Sequence, residues 1–227
     1  MLTSFHIKIL AAISMVIDHI GYVFFPKLLI FRIIGRLSFP LFAWLIGEGE
    51  KHTKNFNMYV ARLIGLGIIS QPLYYLLFDL WRPNILAALA LGLLAIRLDK
   101  ITDLKIGFTL LFAGIAQLIN AESGAYGVLL IVFLSKFEAK SVRWWIAWIV
   151  FNLICVLPLA IESLEQSYQF FAVLAPLFLL QWKGEPGLKT KWFYLFYPLH
   201  LAILWGIQFS INKGYYLLPV NVTPWIK

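Results

Sequence analysis

Residues 5–25, FHIKILAAISMVIDHIGYVFF, form an apolar segment long enough to cross a membrane, yet Asp18 and His19 lie next to each other inside it. An ionisable side chain in the hydrocarbon core of a bilayer is costly unless it faces the protein interior. The pair therefore indicates a functional site whose partners lie on other helices. The segment has no small-residue cleavage site after a short apolar core, so we expect a retained helix and not a signal peptide.

The composition indicates an integral membrane protein. The 227 residues are 61% hydrophobic and 13% charged, whereas about 25% of the residues of a soluble domain are charged. The net charge of +8 is spread between apolar runs and does not form one basic surface, so we do not expect nucleic-acid binding. The single cysteine, Cys155, excludes an internal disulfide. No phosphate loop, zinc-spaced histidine set or serine nucleophile elbow occurs, so we expect no metal and no ATPase, metalloprotease or lipase activity.

The spacing of the apolar runs predicts about nine membrane spans. They lie between charged residues, Pro, Gly and Asn, at residues 5–25, 29–47, 58–79, 84–98, 106–120, 124–137, 143–161, 167–182 and 192–212. Backbone groups at membrane depth must be satisfied within the protein. We therefore predict an all-α, polytopic transmembrane helical bundle that forms a single domain over residues 1–227.

The basic residues predict the orientation of this bundle. Most of them fall at alternate connections, namely Lys8; Lys51, Lys54 and Arg62; Arg97, Lys100 and Lys105; Lys136, Lys140 and Arg143; and Lys183, Lys189 and Lys191. The opposite side has fewer, namely Lys27, Arg32, Arg82, Lys213 and Lys227. Because cytoplasmic connections carry the excess of Lys and Arg, we predict a cytoplasmic N-terminus and an extracytoplasmic C-terminus.

Helix geometry predicts which polar residues meet. Lys8 and His19 are eleven residues apart, which places them on one helix face with about 16 Å of rise between them. Adjacent residues on a helix do not face each other, so Asp18 is not expected to orient His19. Counted from the short turn after the first helix, Asp18 and Arg36 lie at similar depth on antiparallel neighbours. We predict an Asp18–Arg36 ion pair, which either takes part in chemistry or only fixes the two helices in register.

Four further polar residues lie near helix ends or a proline. His200 follows Pro198, which frees a backbone carbonyl, so this histidine either donates a local hydrogen bond or has a functional role. Glu48 and Glu50 end the second helix on the cytoplasmic side, where we expect them to be solvated. Glu122 lies in a short outer connection and is expected to be exposed.

Several groups of residues carry a family resemblance. In chain order they are Lys8-Ile9, Met15 and Asp18-His19; Ile34-Gly35-Arg36-Leu37 and Phe39-Pro40-Leu41-Phe42; Glu48-Gly49, Thr53, Asn55, Tyr59 and Arg62-Leu63; Asn84; Tyr126-Gly127-Val128; and Phe196-Tyr197-Pro198-Leu199-His200-Leu201. This ordered set resembles the TraX family over nearly the whole chain. The family is named for a membrane protein that acetylates the N-terminal amine of pilin subunits. Many relatives have no pilus near them, so the resemblance implies acyl transfer more securely than it implies pilin. Polytopic acyltransferases that use an intramembrane histidine with acetyl-CoA are a looser analogy.

The resemblance implies a membrane acyltransferase that moves an acetyl group from cytoplasmic acetyl-CoA to an amine or hydroxyl acceptor at the outer side. A neutral imidazole suits the removal of the acceptor's proton, so His19 is the candidate general base. Arg36 or Asn84 is the candidate group for stabilising the negative charge of the transition state. Asp18 and His200 complete the candidate catalytic set.

The expected partners are the CoA thioester, the lipid bilayer and an acceptor that is either a pilin-like N-terminus or a small or glycan molecule. Three basic residues are the candidates for contacting the phosphates of acetyl-CoA, although each also fits a plain topology signal: Lys51, Lys54 and Arg62. The expected location is the bacterial inner membrane.

Two other classes of function stay open. One is a transporter or channel in which Asp18, His19 and Arg36 form a proton or ion relay. The other is a non-catalytic membrane subunit that uses the same residues for helix register.

Overall fold

The computed structural model describes residues 1–102, 106–162, 164–188 and 193–217. The regular secondary structure of these residues is helical, without a β-strand apart from one bridge between Leu2 and Trp182. The elements are α1 (Ser4–Phe24), α2 (Leu29–Gly35), α3 (Ser38–His52), α4 (Phe56–Phe78), α5 (Ile85–Thr102), α6 (Gly107–Leu118), α7 (Gly124–Ser135), α8 (Val142–Glu162), a 3-10 helix (Leu164–Leu174), α9 (Pro176–Leu179) and α10 (Phe193–Leu217). The prediction of an all-α fold is confirmed.

Four segments in the described residues are long and apolar enough to cross a membrane: Ser4–Phe24, Leu29–His52, Phe56–Phe78 and Phe193–Ile211. Shorter apolar helices accompany them between residues 107 and 179. Large aliphatic side chains cover the outside of the bundle, and Ile68, Ile69 and Ile154 are each more than 60% exposed. A helix surface of this kind is typical of a protein that faces lipid.

The second predicted span is divided into α2 and α3. The two helices meet at Arg36 and Leu37, and Pro40 lies in the first turn of α3, where its missing N–H removes no helical hydrogen bond. Gly35 packs directly on α1, because a Cβ atom at this position would lie 2.2 Å from Asp18 Oδ1. The break and the close approach together bring Arg36 against α1.

The eighth predicted span differs most from a regular helix. Its described part is a 3-10 helix over Leu164–Leu174, followed by the short α9. Pro176 begins α9 and has no N–H to continue the preceding helical turn. This region places Tyr168 and Gln169 beside the second helical segment.

The connections gather at two opposite ends of the bundle. At one end the Leu2 N–H donates to Gln181 O over 2.7 Å, and the Ser4 N–H donates to Glu185 O over 2.9 Å. At the other end the Glu122 N–H donates to Pro83 O over 2.9 Å. Connections that the basic residues place on one side of the membrane therefore lie together. Residues 218–227, the predicted extracytoplasmic C-terminus, lie outside the described residues, as do Lys105, Lys189 and Lys191.

The core lies between α1, α3, α4, α5, α7 and α10. Large side chains with at most 2% exposure fill it, among them Ile7, Leu41, Trp44, Tyr74, Leu93, Leu130, Leu134 and Leu201. Small residues of α1 allow a close approach by α3, where the Ser38 hydroxyl donates to Ala11 O over 2.9 Å. One side of this core opens into a cavity.

Candidate active site

A cavity of about 540 Å³ runs through the bundle beside α1. Five residues of α1 line it, Ser4, Lys8, Met15, Asp18 and His19, so it follows the helix for about 22 Å at 1.5 Å per residue. Other lining residues come from α3, α4, α5, α10 and the connections at both ends. The predicted common face of Lys8 and His19 is thus the face that borders the cavity.

Asp18 is held by two arginines at one end of this cavity. Arg36 Nη2 donates to both carboxylate oxygens of Asp18, at 2.9 and 2.8 Å. Arg32 Nη1 lies 2.8 Å from Asp18 Oδ1. The side chains of Asp18 and Arg36 are 15% and 20% exposed, so solvent screens the pair only weakly. The predicted Asp18–Arg36 bridge is confirmed, and Arg32 joins it.

The cluster of Asp18, Arg32 and Arg36 has one more cation than anion. Its arginines have further partners, since Arg36 Nη1 donates to Gln169 Oε1 over 3.0 Å. Arg36 Nε donates to Arg32 O over 3.2 Å, and the Tyr168 ring lies 5.2 Å from the Arg36 guanidinium. The cluster therefore has a fixed geometry and a positive balance, and Asp18, Arg36 and Gln169 all face the cavity. Sequence reasoning missed Gln169, which is 133 residues from its partner.

His19 contacts the second candidate histidine. Its Nδ1 lies 2.9 Å from His200 Nε2, and the two rings stack with centroids 5.0 Å apart. His200 is 7% exposed, and its Nδ1 lies 3.0 Å from the backbone carbonyl of Phe196. This contact fits one of the two roles that the sequence left open for His200, a local hydrogen bond to a backbone carbonyl. As expected from the helix geometry, Asp18 binds arginine and does not orient His19.

This chain of contacts assigns the protons of both rings. A backbone carbonyl only accepts hydrogen bonds, so His200 Nδ1 carries a proton and donates to Phe196 O. In a neutral imidazole His200 Nε2 is then an acceptor, and His19 Nδ1 donates to it. The remaining nitrogen, His19 Nε2, keeps its lone pair. His19 lines the cavity, so this basic nitrogen belongs to a side chain that a bound molecule can reach.

The side chain of Asn84 makes hydrogen bonds that hold two helices together. Its Nδ2 donates to Gly67 O and to Gln71 Oε1, both over 2.8 Å, and its Oδ1 accepts from the Leu86 N–H at the start of α5. The side chain is buried at 1% exposure, and Asn84 is not among the residues that line the cavity. The structure therefore does not bring Asn84 to His19, because its amide joins α4 to the start of α5.

The three basic residues predicted to contact acetyl-CoA lie in different places. Arg62 lines the cavity, with its guanidinium 5.5 Å from the Tyr194 ring. Lys51 borders a smaller, separate cavity and pairs with Glu48 at 2.7 Å, while Lys54 is exposed and lines neither. Lys8 joins Arg62 at the mouth of the main cavity, and its ammonium lies 5.2 Å from the Phe193 ring.

Three glutamates are less exposed than the sequence suggests. Glu48 and Glu50 are 8% and 4% exposed. Lys51 lies 2.7 Å from Glu48, and Arg97 lies 3.0 Å from Glu50, so each buried carboxylate has a cation that neutralises it. Glu122 lines the cavity and is partly buried, so its side chain is less exposed than its place in a short outer connection led us to expect. A short connection at the end of the bundle turns inward here, since its backbone is bonded to Pro83.

A family model described as TraX protein matches residues 4–208. The chain belongs to the TraX family. Its similarity to the probable fimbrial assembly protein FimC, serogroup H1, of Dichelobacter nodosus is 30% identity over 231 residues, covering 89% of this chain and 94% of that protein. A shorter match to Protein TraX of Escherichia coli has 40% identity over 88 residues and covers 38% and 36% of the two chains. No solved structure is significantly similar to the fold.

The TraX-family match includes all the residues of the cavity that are described above. The described residues contain no group of three or more His, Cys, Asp or Glu side chains that could hold a metal ion. The TraX-family chain thus combines a basic histidine nitrogen, a cationic cluster and two basic side chains at the far mouth along one cavity. This arrangement suits proton removal and the stabilisation of negative charge.

Proposed function

We propose that this TraX-family protein is a membrane acetyltransferase that moves an acetyl group from cytoplasmic acetyl-CoA to an amine or hydroxyl acceptor at the outer side of the bacterial inner membrane. The observation that carries the proposal is the hydrogen-bond chain from Phe196 O through His200 to His19. It leaves His19 Nε2 as a base in a cavity that extends about 22 Å along α1.

His19 Nε2 acts as the general base in the proposed reaction. It takes the proton of the acceptor as the acceptor's nitrogen or oxygen forms a bond to the acetyl carbonyl carbon. The bond between this carbon and sulfur then breaks, and the imidazolium returns its proton to the thiolate. Protons balance within the site for a neutral acceptor. His200 keeps His19 in the required tautomer and is a positioning residue.

The arginine cluster stabilises the negative charge that develops on the carbonyl oxygen. Asp18 neutralises one of the two guanidinium groups, so one positive charge remains at the His19 end of the cavity. In a site of low dielectric such a fixed charge stabilises an oxyanion strongly. Arg36 can therefore pair with Asp18 and still stabilise the oxyanion, because Arg32 shares the same carboxylate.

Acetyl-CoA fits the cavity by shape and charge. Lys8 and Arg62 at the mouth suit the phosphates of the donor, and the long cavity beyond them suits its narrow pantetheine arm. The proposed orientation puts this mouth on the cytoplasmic side, where the positive-inside rule places the N-terminus. His19 and Glu122 then lie towards the outer side. Under this orientation the bundle has about nine spans, and the C-terminus is extracytoplasmic.

The proposed acceptor is a pilin-like N-terminus or a small or glycan molecule. The relative of D. nodosus is named as a probable fimbrial assembly protein, which supports the first choice.

Purified wild-type protein and the His19→Ala variant test the proposal. We expect the wild-type protein to bind CoA and to consume the acetyl-CoA thioester when an acceptor is present. His19→Ala should lose this consumption and keep CoA binding. Proton or ion flux in liposomes, with no thioester consumption, would support a transporter instead.

A further inference from the structure

Glu122 is a partly buried titratable group that the proposed reaction does not use. It lines the cavity at the end where Asp18, His19 and Arg36 lie. The Tyr74 hydroxyl and the Ile85 backbone N–H lie near its carboxylate. Glu122 thus has neutral polar groups near it on the protein side and faces the cavity on the other.

Glu122 lacks a close counter-ion within the part of the chain that the structure describes. No Lys, Arg or His nitrogen in that part lies within 4.0 Å of a Glu122 carboxylate oxygen. Asp18, Glu48 and Glu50, in contrast, each form an ion pair. Arg82 is the main nearby cation, but its Nε donates to the Tyr74 hydroxyl over 3.1 Å. A buried carboxylate without a paired cation is costly, unless a ligand supplies the cation.

The surroundings of Glu122 include charges of both signs. Burial raises the pKa of the Glu122 carboxyl, and Arg82 and Arg36 offset this only in part. Titratable or charged groups from five elements face it. They are Asp18 of α1, Tyr74 of α4, Arg82 of the connection after α4, Arg36 at the α2–α3 break and Tyr197 of α10. A bound ammonium would supply the positive charge that this carboxylate lacks.

We propose that Glu122 recognises the acceptor as a protonated primary amine and takes its first proton. This inference rests on the proposed acetyl transfer and adds the residue that selects an amine over a hydroxyl. An ammonium has no lone pair and does not attack a thioester. Transfer of one proton to the Glu122 carboxylate gives the neutral amine, which attacks the acetyl carbonyl carbon while His19 Nε2 takes the second proton. His19 returns its proton to the departing thiolate, and Glu122 releases the other to solvent.

Binding of a water-soluble amine tests this role independently of catalysis. Trialanine amide with a free amino terminus and its N-formyl derivative are titrated by calorimetry into the full-length protein in detergent. We expect wild-type protein to bind the free amine at least about tenfold more tightly than the formyl form. Glu122→Gln should remove this preference, because glutamine keeps the shape and an acceptor oxygen but has no charge. Lowering the pH should remove it in wild-type protein as well.

The matched control is Glu138→Gln, which changes an exposed glutamate in the connection after α7. This variant should keep the wild-type preference. Tyr74→Phe removes the hydroxyl beside Glu122 and should also keep it, provided that the thermal transition shows a folded protein. Equal binding of the two peptides by wild-type protein, binding of neither, or an unchanged preference in Glu122→Gln would each overturn the role of Glu122. Amine preference without thioester consumption would support Glu122 and refute acetyl transfer.

Discussion

Replacing Asp18 by asparagine should destabilise the protein more than replacing Arg36 by glutamine. Asp18→Asn leaves two guanidinium groups in a region where the pair is 15% and 20% exposed. Loss of one partner from a buried ion pair costs about 3–5 kcal/mol, because the remaining charge is not compensated. Arg36→Gln instead leaves Asp18 paired with Arg32 at 2.8 Å. It should cost about 1.5–3 kcal/mol, the value of hydrogen bonds to a charged group.

The assay is a reversible denaturant titration in mixed micelles, with the free energy of unfolding measured for each variant and for the double variant. The double variant Asp18→Asn/Arg36→Gln should cost less than the sum of the single changes, because it removes one positive and one negative charge together. Equal costs of the two single changes would show that Arg32 does not share the carboxylate. A coupling energy near zero would refute the ion pair as a source of stability.

Three further predictions concern the rest of the site. His200→Ala removes the imidazole that His19 contacts, so it should lower kcat by about tenfold or more and leave CoA affinity unchanged. ¹⁵N NMR should show His19 Nδ1 protonated in wild-type protein and a mixture of His19 tautomers in the variant. Arg62→Gln should weaken CoA binding by about fivefold to tenfold in calorimetry, whereas Lys54→Gln should leave it unchanged. Equal effects of the two substitutions would contradict the proposal that the phosphates of acetyl-CoA bind at the cavity mouth. Gly35→Ala should lower the unfolding midpoint because its Cβ would lie 2.2 Å from a carboxylate oxygen, and an unchanged midpoint would contradict the close packing of α1 and α2.

Local geometry made part of this site predictable from the sequence. The 3.6-residue period of a helix predicted that Lys8 and His19 share a face, and both line the cavity. A short turn predicted that Asp18 and Arg36 meet at similar depth, and they do. These relations involve one helix or two consecutive helices, whose relative positions the turn restricts.

Contacts between distant segments were not predictable in the same way. His19 and His200 are 181 residues apart, and their hydrogen bond depends on how α1 and α10 pack in the bundle. The inward position of Glu122 depends on a backbone bond to Pro83, which belongs to a different connection. The sequence marked the histidines as candidates by their type and environment, but it contained no signal for their contact.

Sidedness distinguishes the proposed activity most directly from its alternatives. Proteoliposomes with trialanine amide inside and acetyl-CoA outside can be sorted by orientation and analysed for acetylated peptide in the lumen. We expect vesicles whose N-terminus faces outward to form the luminal product with matching loss of external thioester, and those with His19→Ala to form none. Product formation that does not depend on His19, or proton flux without thioester loss, would contradict transmembrane acetyl transfer by this protein.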